Sequence, residues 1–335
     1  MAVLEFWLAV SCAAFTLQEL PDGTLTDRSD YAFPFATHDA WVKEMAGKGI
    51  EDWSVVFGKA EYDRFHSGTS VRVERITYES DGLAIKGFLV IPKNRKTPAP
   101  LVVFNRGGTL EWSRITFWEI LEFCRLAERG YVVVASYFRG CGGSEGVDEL
   151  GSGDVRDVLN AIKMAESLPL VDTARIGVWG FSRGAVTSYH LLAKEPRIKA
   201  AVMVGGPADA LRSHRNQEFH EHVYPKALPG YTQDPETALR RISPLHWAET
   251  LNPNVPILLM HGGADWRVLP EQSLAMASKL QELGRSYRLV IFEGGSHSLL
   301  EHVAAFRAQL DDWLDRYVRE GQVAPKNKPA SPQPQ

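Results

Sequence analysis

The stretch Gly180-Phe181-Ser182-Arg183-Gly184 sets a serine between two glycines. The apolar run before it, Arg175–Trp179, reads as a strand, and the residues after Ser182 read as a helix. A serine at a tight strand-to-helix turn takes a strained backbone conformation, and flanking glycines let neighbouring chain come close without a Cβ clash. The hydroxyl then projects above the sheet. The N–H groups that open the helix point toward developing negative charge. Five residues of this kind recur by accident; the strand and helix flanks are what make Ser182 a candidate nucleophile.

A serine nucleophile needs a base and an acid. His261-Gly262-Gly263-Ala264-Asp265 follows the apolar run Val255–Met260, and Gly294-Gly295-Ser296-His297 follows Tyr287–Phe292. Both stretches sit in loops after strands, at the sheet edge where Ser182 emerges. Asp265 would hold the imidazole of His297 in one tautomer, and His297 would take the serine proton. The order Ser, Asp, His is that of the α/β-hydrolase fold. Asp209 is the alternative acid. His261 is the rival base, but it precedes the acid and reads as structural. Acyl transfer also needs two preorganised donors for an oxyanion. One is the backbone N–H of Arg183. The other is expected from the Gly-rich loop Asn105-Arg106-Gly107-Gly108 after the strand Leu101–Phe104.

Positioning these loops requires a particular scaffold. Val71–Tyr78 and Leu83–Ile91 read as a hairpin joined at Ser80-Asp81-Gly82, since Asp-Gly is a hairpin signal. Beyond it, short apolar runs alternate with helical spacings, such as Val155, Val158, Leu159 and Ile162. That rhythm implies an α/β fold: a mostly parallel central sheet with an antiparallel N-terminal hairpin and helices on both faces. The expected organisation is a signal-like segment at 1–17, a helical extension at 18–70, a catalytic domain at 71–320 and a Pro- and Gln-rich disordered tail at 321–335. Between about 208 and 251 the βα rhythm breaks, which predicts a lid over the C-terminal edge of the sheet. Phe219, Tyr224 and Tyr231 are its candidate substrate-binding residues.

The bulk composition narrows the class. With 335 residues, 44% hydrophobic and 23% charged, the chain has enough apolar content for a large core. A formal charge of −4 provides no basic face, so nucleic acid is not an expected partner. Cys12, Cys124 and Cys141 are too few for a disulfide framework and read as buried thiols. The apolar N-terminus resembles a short signal peptide, yet Glu5 interrupts it and no Lys or Arg precedes Arg28. It is too short for a stable membrane span, and cytoplasmic and exported locations both fit. His214, His220 and His222 lie near Glu218 and Glu221 in the lid. They lack an H-E-x-x-H arrangement, so a solvated surface is expected there and no metal site. The Arg139–Gly146 loop lacks the G-K-[ST] ending of a phosphate loop.

Several stretches together are similar to the catalytic domain of the prolyl oligopeptidase family of serine hydrolases. They are Phe104–Gly108, Gly130–Ser136, Tyr137–Gly146, Gly180–Gly184, His261–Val268 and Gly294–Ser298. The resemblance runs from about residue 70 to 319 and implies that Ser182, Asp265 and His297 take the triad positions, with no cofactor. It is to the catalytic domain without the β-propeller, for which 70 preceding residues leave no room. Arg106 stands where relatives place a His or an oxyanion Tyr, which leaves a backbone N–H of Arg106 or Gly107 as the second donor. The implied activity is cleavage of an ester or peptide-type acyl bond through an acyl-enzyme, as a peptidase of short peptides or as a carboxylesterase of small esters. A non-catalytic scaffold of the same fold is the contrasting possibility, against which the presence of all three residues argues. Arg183 reads either as a partner for a substrate carboxylate or as a surface residue beside the turn.

Overall fold

The computed structural model of the protein describes residues 20–327 apart from 49, 51, 94, 111–113 and 214–215, and, at 216, the backbone alone. The signal-like segment 1–17 with Cys12, His214 of the lid and the last part of the tail (328–335) lie outside the described residues.

Nine strands form one sheet among these residues. In chain order they are β1 (Leu25–Asp30), β2 (Val71–Ser80), β3 (Leu83–Pro92), β4 (Ala99–Asn105), β5 (Val132–Ser136), β6 (Val171–Phe181), β7 (Ile198–Val204), β8 (Ile257–Gly262) and β9 (Tyr287–Phe292). Their spatial order is β1-β2-β3-β5-β4-β6-β7-β8-β9. β1, β2 and β3 run antiparallel, and β3 meets β5 antiparallel; every pairing from β5 to β9 is parallel. This is the mixed sheet the hairpin and the βα rhythm predict. At the hairpin, Asp81 and Gly82 have φ of 55° and 76°, the pair of positive angles that a two-residue type I′ turn requires.

The inner parallel strands are buried on both sides, and their side chains divide strictly by alternation. Val102, Phe104, Val133, Val202 and Leu258 face one layer, while Leu101, Val103, Val134, Ala201 and Leu259 face the other. The first layer is closed by α1 (His38–Met45), α2 (Lys59–His66), α3 (Phe117–Glu128) and α10 (Val303–Leu314); the second by α4 (Gly153–Glu166), α5 (Arg183–Lys194) and α9 (Glu271–Glu282).

Residues 20–70 are not an extension of helices alone, since a strand precedes α1 and α2. β1 pairs along β2, from Leu25 opposite Tyr78 to Asp30 opposite Glu74. Its sequence, Leu-Thr-Asp-Arg-Ser-Asp, has no apolar face because it is an edge strand exposed over nearly its whole length. Polar and charged side chains are what protect such an edge from further pairing. The aromatic residues that follow join the main core: Trp41 and Tyr62 are fully buried and stack with ring centroids 6.0 Å apart.

The segment 208–251 carries three short helices, α6 (Asn216–His222), α7 (Tyr224–Ala227) and α8 (Pro235–Arg241), with 3-10 turns before them at Ala210–Arg212 and after them at Pro244–His246 and Ala248–Thr250. It carries a small apolar cluster of its own, built on Tyr224, Leu228, Tyr231, Leu239 and Ile242 and resting on Val186 of α5. We refer to it as the cap. Cys124 and Cys141 are both buried. Among the described residues no helix is long and apolar enough to cross a membrane.

At the start of α3, Glu119 reaches back to Thr116, accepting from its backbone N at 2.6 Å and its hydroxyl at 2.9 Å. Burial pushes this carboxyl up to about 7, outweighing the hydrogen bonds that favour its ionised form. The folded protein therefore holds the proton over a range in which the unfolded chain has released it. Stability should fall as pH rises from the usual carboxyl range to about 7 and then level off. Glu119→Gln keeps an acceptor for Thr116 and removes this titration. Melting curves between pH 5 and 8 are expected to show a flatter pH profile for the variant, and a higher Tm than wild type at pH 8.

Candidate active site

Ser182 joins β6 to α5 with φ 54° and ψ −123°, a combination essentially closed to residues with a side chain unless the surroundings impose it. The imposition is visible. The Ser182 N–H donates to Val204 O of β7 at 2.8 Å. On the far side of the turn, α5 lies directly against the end of β4: a Cβ at Gly184 would stand 1.9 Å from Asn105 O. Asn105 Nδ2 donates to Ser188 Oγ at 2.8 Å, and Ser188 Oγ donates to Gly184 O at 2.8 Å. The Ser182 turn is thus held between its two neighbouring strands.

Asp265 and His297 come together after β8 and β9. His297 Nδ1 lies 2.6 Å from Asp265 Oδ2. The other oxygen, Oδ1, accepts from the backbone N–H of Arg267 at 2.9 Å and of Val268 at 3.1 Å. With Nδ1 donating to the carboxylate, Nε2 of a neutral His297 is left as an acceptor, which is the tautomer a general base requires. Burial alone would raise the Asp265 pKa. The hydrogen bonds from His261 and His297 outweigh it and hold the carboxyl well below the usual range. Gly205, at the end of β7, links this pair to the serine. It follows Val204, the acceptor for Ser182 N–H, and a Cβ there would lie 3.1 Å from His297 Nδ1 and 3.5 Å from Asp265 Oδ2. The Phe181 ring lies 5.0 Å from that of His297.

The rivals fall elsewhere. Asp209 accepts from Leu211 N at 3.0 Å, capping a turn, and lies 3.2 Å from His246 Nε2. His261 is fully buried behind the acid. Its Nε2 faces two acceptors, Val268 O at 2.8 Å and Asp265 Oδ2 at 3.2 Å, so it carries the proton there; Nδ1 then accepts from Ser273 Oγ at 2.7 Å. His261 is therefore structural in a specific way: it donates to the acid's Oδ2, the oxygen that also holds His297.

Neither reading of the Arg183 side chain survives. It is buried, and its guanidinium is forked onto Asp148, with Nη1–Oδ2 at 2.6 Å and Nη2–Oδ1 at 2.5 Å. Nη2 also reaches Asp154 at 3.1 Å, and Nη1 reaches Gly108 O at 3.1 Å. Asp148 Oδ2 in turn accepts from Leu110 N at 2.7 Å. One ion pair thus ties the residue after Ser182 to the loop after β4. In that loop a Cβ on Gly107 would sit 3.1 Å from Ser182 Cβ, so the loop passes directly beside the serine. The Arg106 side chain turns away and under the loop. Its Nε donates to Tyr137 O at 2.7 Å and its Nη1 to Gly107 O at 2.9 Å, and both Arg106 and Arg183 lie over the Phe138 ring. Asp148 and Asp154 carry no spacing signal in the sequence, because they reach Arg183 from a loop and a helix that only the fold brings near.

In the cap, Tyr224 and Tyr231 are buried in its own apolar cluster, with ring centroids 5.4 Å apart, and Phe219 packs half-buried against them. The two tyrosines are thereby corrected from pocket lining to cap core. His220 contacts the Tyr231 hydroxyl, and His222 is exposed beside Glu221. Arg139 is held by Asp157 and Asp81, so its loop is anchored as structure.

The sequence of residues 118–321, more than half of the chain, matches the prolyl oligopeptidase family. The chain belongs to this family. It is 28% identical over 228 residues to the uncharacterized peptidase YtmA of Bacillus subtilis, covering 67% of this chain and 85% of that protein. It is also 28% identical over 256 residues to dipeptidyl-peptidase 5 of Porphyromonas gingivalis, covering 72% of this chain but 37% of that protein. The acylaminoacyl peptidase of Pyrococcus horikoshii superimposes with a TM-score of 0.65 at 23% identity, over 78% of this chain and 44% of that one. A puromycin-hydrolyzing peptidase of Mycobacterium tuberculosis does so with a TM-score of 0.60 at 24% identity, over 73% and 39%. The fold is therefore that of α/β-hydrolase catalytic domains. The chain spans less than half the length of these larger relatives.

The Arg183–Asp148 pair generates a prediction. Asp148→Asn keeps an acceptor for Leu110 N–H but leaves a buried guanidinium with half its compensation. Breaking one partner of such a pair costs about 3 kcal/mol. Denaturant unfolding should show a loss of that order, and labelling of Ser182 by a fluorophosphonate should slow at temperatures where the variant is fully folded.

Proposed function

We propose that this chain is a serine peptidase acting on short peptides, with Ser182 as nucleophile, His297 as general base and Asp265 as the residue that orients it. The observation that carries this reading is the 2.6 Å contact of His297 Nδ1 with a buried, strongly acidic Asp265 beside a serine at positive φ. His297 Nε2 takes the proton as Ser182 Oγ forms a bond to the scissile carbonyl carbon. The carbonyl π electrons move onto oxygen, which the backbone N–H groups of Arg183 and of Arg106 or Gly107 stabilise. Collapse of this intermediate expels the amine, which receives the proton from His297; water then repeats the sequence to release the acid. Phe219, half-buried at the cap, is the remaining candidate for contact with the acyl side.

Names of the relatives, dipeptidyl-peptidase and acylamino-acid-releasing enzyme among them, support a peptide substrate. Peptide amides tested against unactivated carboxylic esters decide the matter. Amide hydrolysis is expected; turnover of esters alone would make the chain a carboxylesterase with the same chemistry.

Ser182→Ala should abolish turnover with an unchanged melting temperature, because the hydroxyl supports no packing. Asp265→Asn should lower kcat by several powers of ten. Asp209→Asn should lower it far less, and a reversed order of these two effects would move the acid to Asp209.

A further inference from the structure

The structure also points to a second site, on the opposite edge of the sheet from Ser182, that binds a carboxylate carried on an apolar body; we propose it as an anion site of this chain. Ser182, Asp265 and His297 follow the C-terminal ends of β6, β8 and β9. At the other edge, where β7, β8 and β9 begin, lies a cavity of about 820 Å³. This is the size of a small-molecule site. Ile198, Pro256 and Ser286 from the strand starts line one side of it, and residues 321–326 of the tail line another. The tail is fastened across it, with Gln322 N donating to Arg316 O at 2.9 Å and Gln281 Nε2 to Asn327 O at 3.2 Å.

Arg285 is the reason to assign a ligand. It lines this cavity and is nine-tenths buried. Its Nη2 donates to Glu249 O at 3.0 Å, whereas Nη1 has no hydrogen-bond partner. Among the described residues no carboxylate pairs with it, and burial lowers its pKa with no opposing charge to offset the effect. A buried guanidinium without a counter-charge is costly, and proteins pair such groups with an anion. The other charges on the wall do not fill that role. Arg175 is already paired with Asp172 at 2.7 Å, Lys199 and Lys326 add positive charge at exposed positions, and Glu249 is exposed. A single planar guanidinium matches the two oxygens of one carboxylate. The prolines, Ile198, Leu283, Val318 and Ala324 around it suit an apolar body. A free fatty acid and the C-terminal end of a peptide share this chemistry.

The test is calorimetric titration of the full chain, using octanoate, an N-acetylated dipeptide acid ending in phenylalanine, and the corresponding amides. It is run on wild type, Ser182→Ala and Arg285→Met. Saturable binding of at least one acid is expected, with the amide at least tenfold weaker. Whichever acid binds more tightly identifies the source. Affinity should be unchanged in Ser182→Ala and at least tenfold lower in Arg285→Met. Without ligand, Arg285→Met should melt no lower than wild type, since it removes an uncompensated charge. Should that variant fail to fold, Arg285→Lys keeps the charge but loses the fork and should weaken binding severalfold. Equal binding by acids and amides, unchanged affinity in the Arg285 variants, or no binding at millimolar concentration would each overturn the site. Binding that disappears when Ser182 is blocked by a fluorophosphonate would do so as well. None of these readouts depends on turnover, so the site and the peptidase reading can fail separately.

Discussion

A serine at φ 54° and ψ −123° is the constraint on which the rest of the structure depends. Such a conformation costs on the order of 1–3 kcal/mol and persists only where surrounding contacts over-determine it. Here they come from both sides. β7 holds the Ser182 N–H, and the close approach of Gly184 to Asn105 O lets α5 seat against β4. Any side chain at 184 would lift the helix away and release the turn. The position of the serine is thus a consequence of strand order, because β6 lies between β4 and β7.

The same strand order explains why three distant stretches of chain share one edge. In a parallel sheet all strands end on the same side, so residues that follow β4, β6, β7, β8 and β9 converge without further design. Gly107 comes against Ser182 from β4, Gly205 stands beside His297 and Asp265 from β7, and His261 buttresses the acid from the end of β8. The antiparallel strands β1 to β3 contribute no candidate catalytic side chain. They extend the surface on which the aromatic N-terminal residues pack.

Much of this was legible in the sequence, for identifiable reasons. Strands buried on both faces write themselves as apolar runs, and a hairpin that needs two positive φ angles writes itself as Asp-Gly. The Ser, Asp and His candidates were legible because each sits in a Gly-containing loop directly after such a run. β1 was not legible, since an exposed edge strand has no apolar alternation to display. Nor was the partnership of Arg183 with Asp148 and Asp154: ion pairs between distant segments leave no periodic mark. The cap was legible as a break in rhythm but not as a structure. Its tyrosines read as pocket residues because an aromatic side chain in a polar stretch looks the same whether it faces a ligand or a miniature core.

Three buried arginines show how one residue type takes different roles according to what surrounds it. Arg183 is answered by two carboxylates, which outweigh burial and raise its pKa, so its charge binds the Ser182 turn to the neighbouring loop. Arg106 is answered by carbonyls and by the face of Phe138, and burial lowers its pKa; it stiffens the loop from beneath through directed hydrogen bonds. Arg285 is answered by one carbonyl and no carboxylate. In the first two cases the compensation comes from segments around the candidate active site, and the charge is used up in holding them together. In the third the compensation is incomplete and the side chain borders a cavity. An uncompensated charge at a cavity wall is a property of a binding surface, whereas a compensated one in the core is a property of the fold.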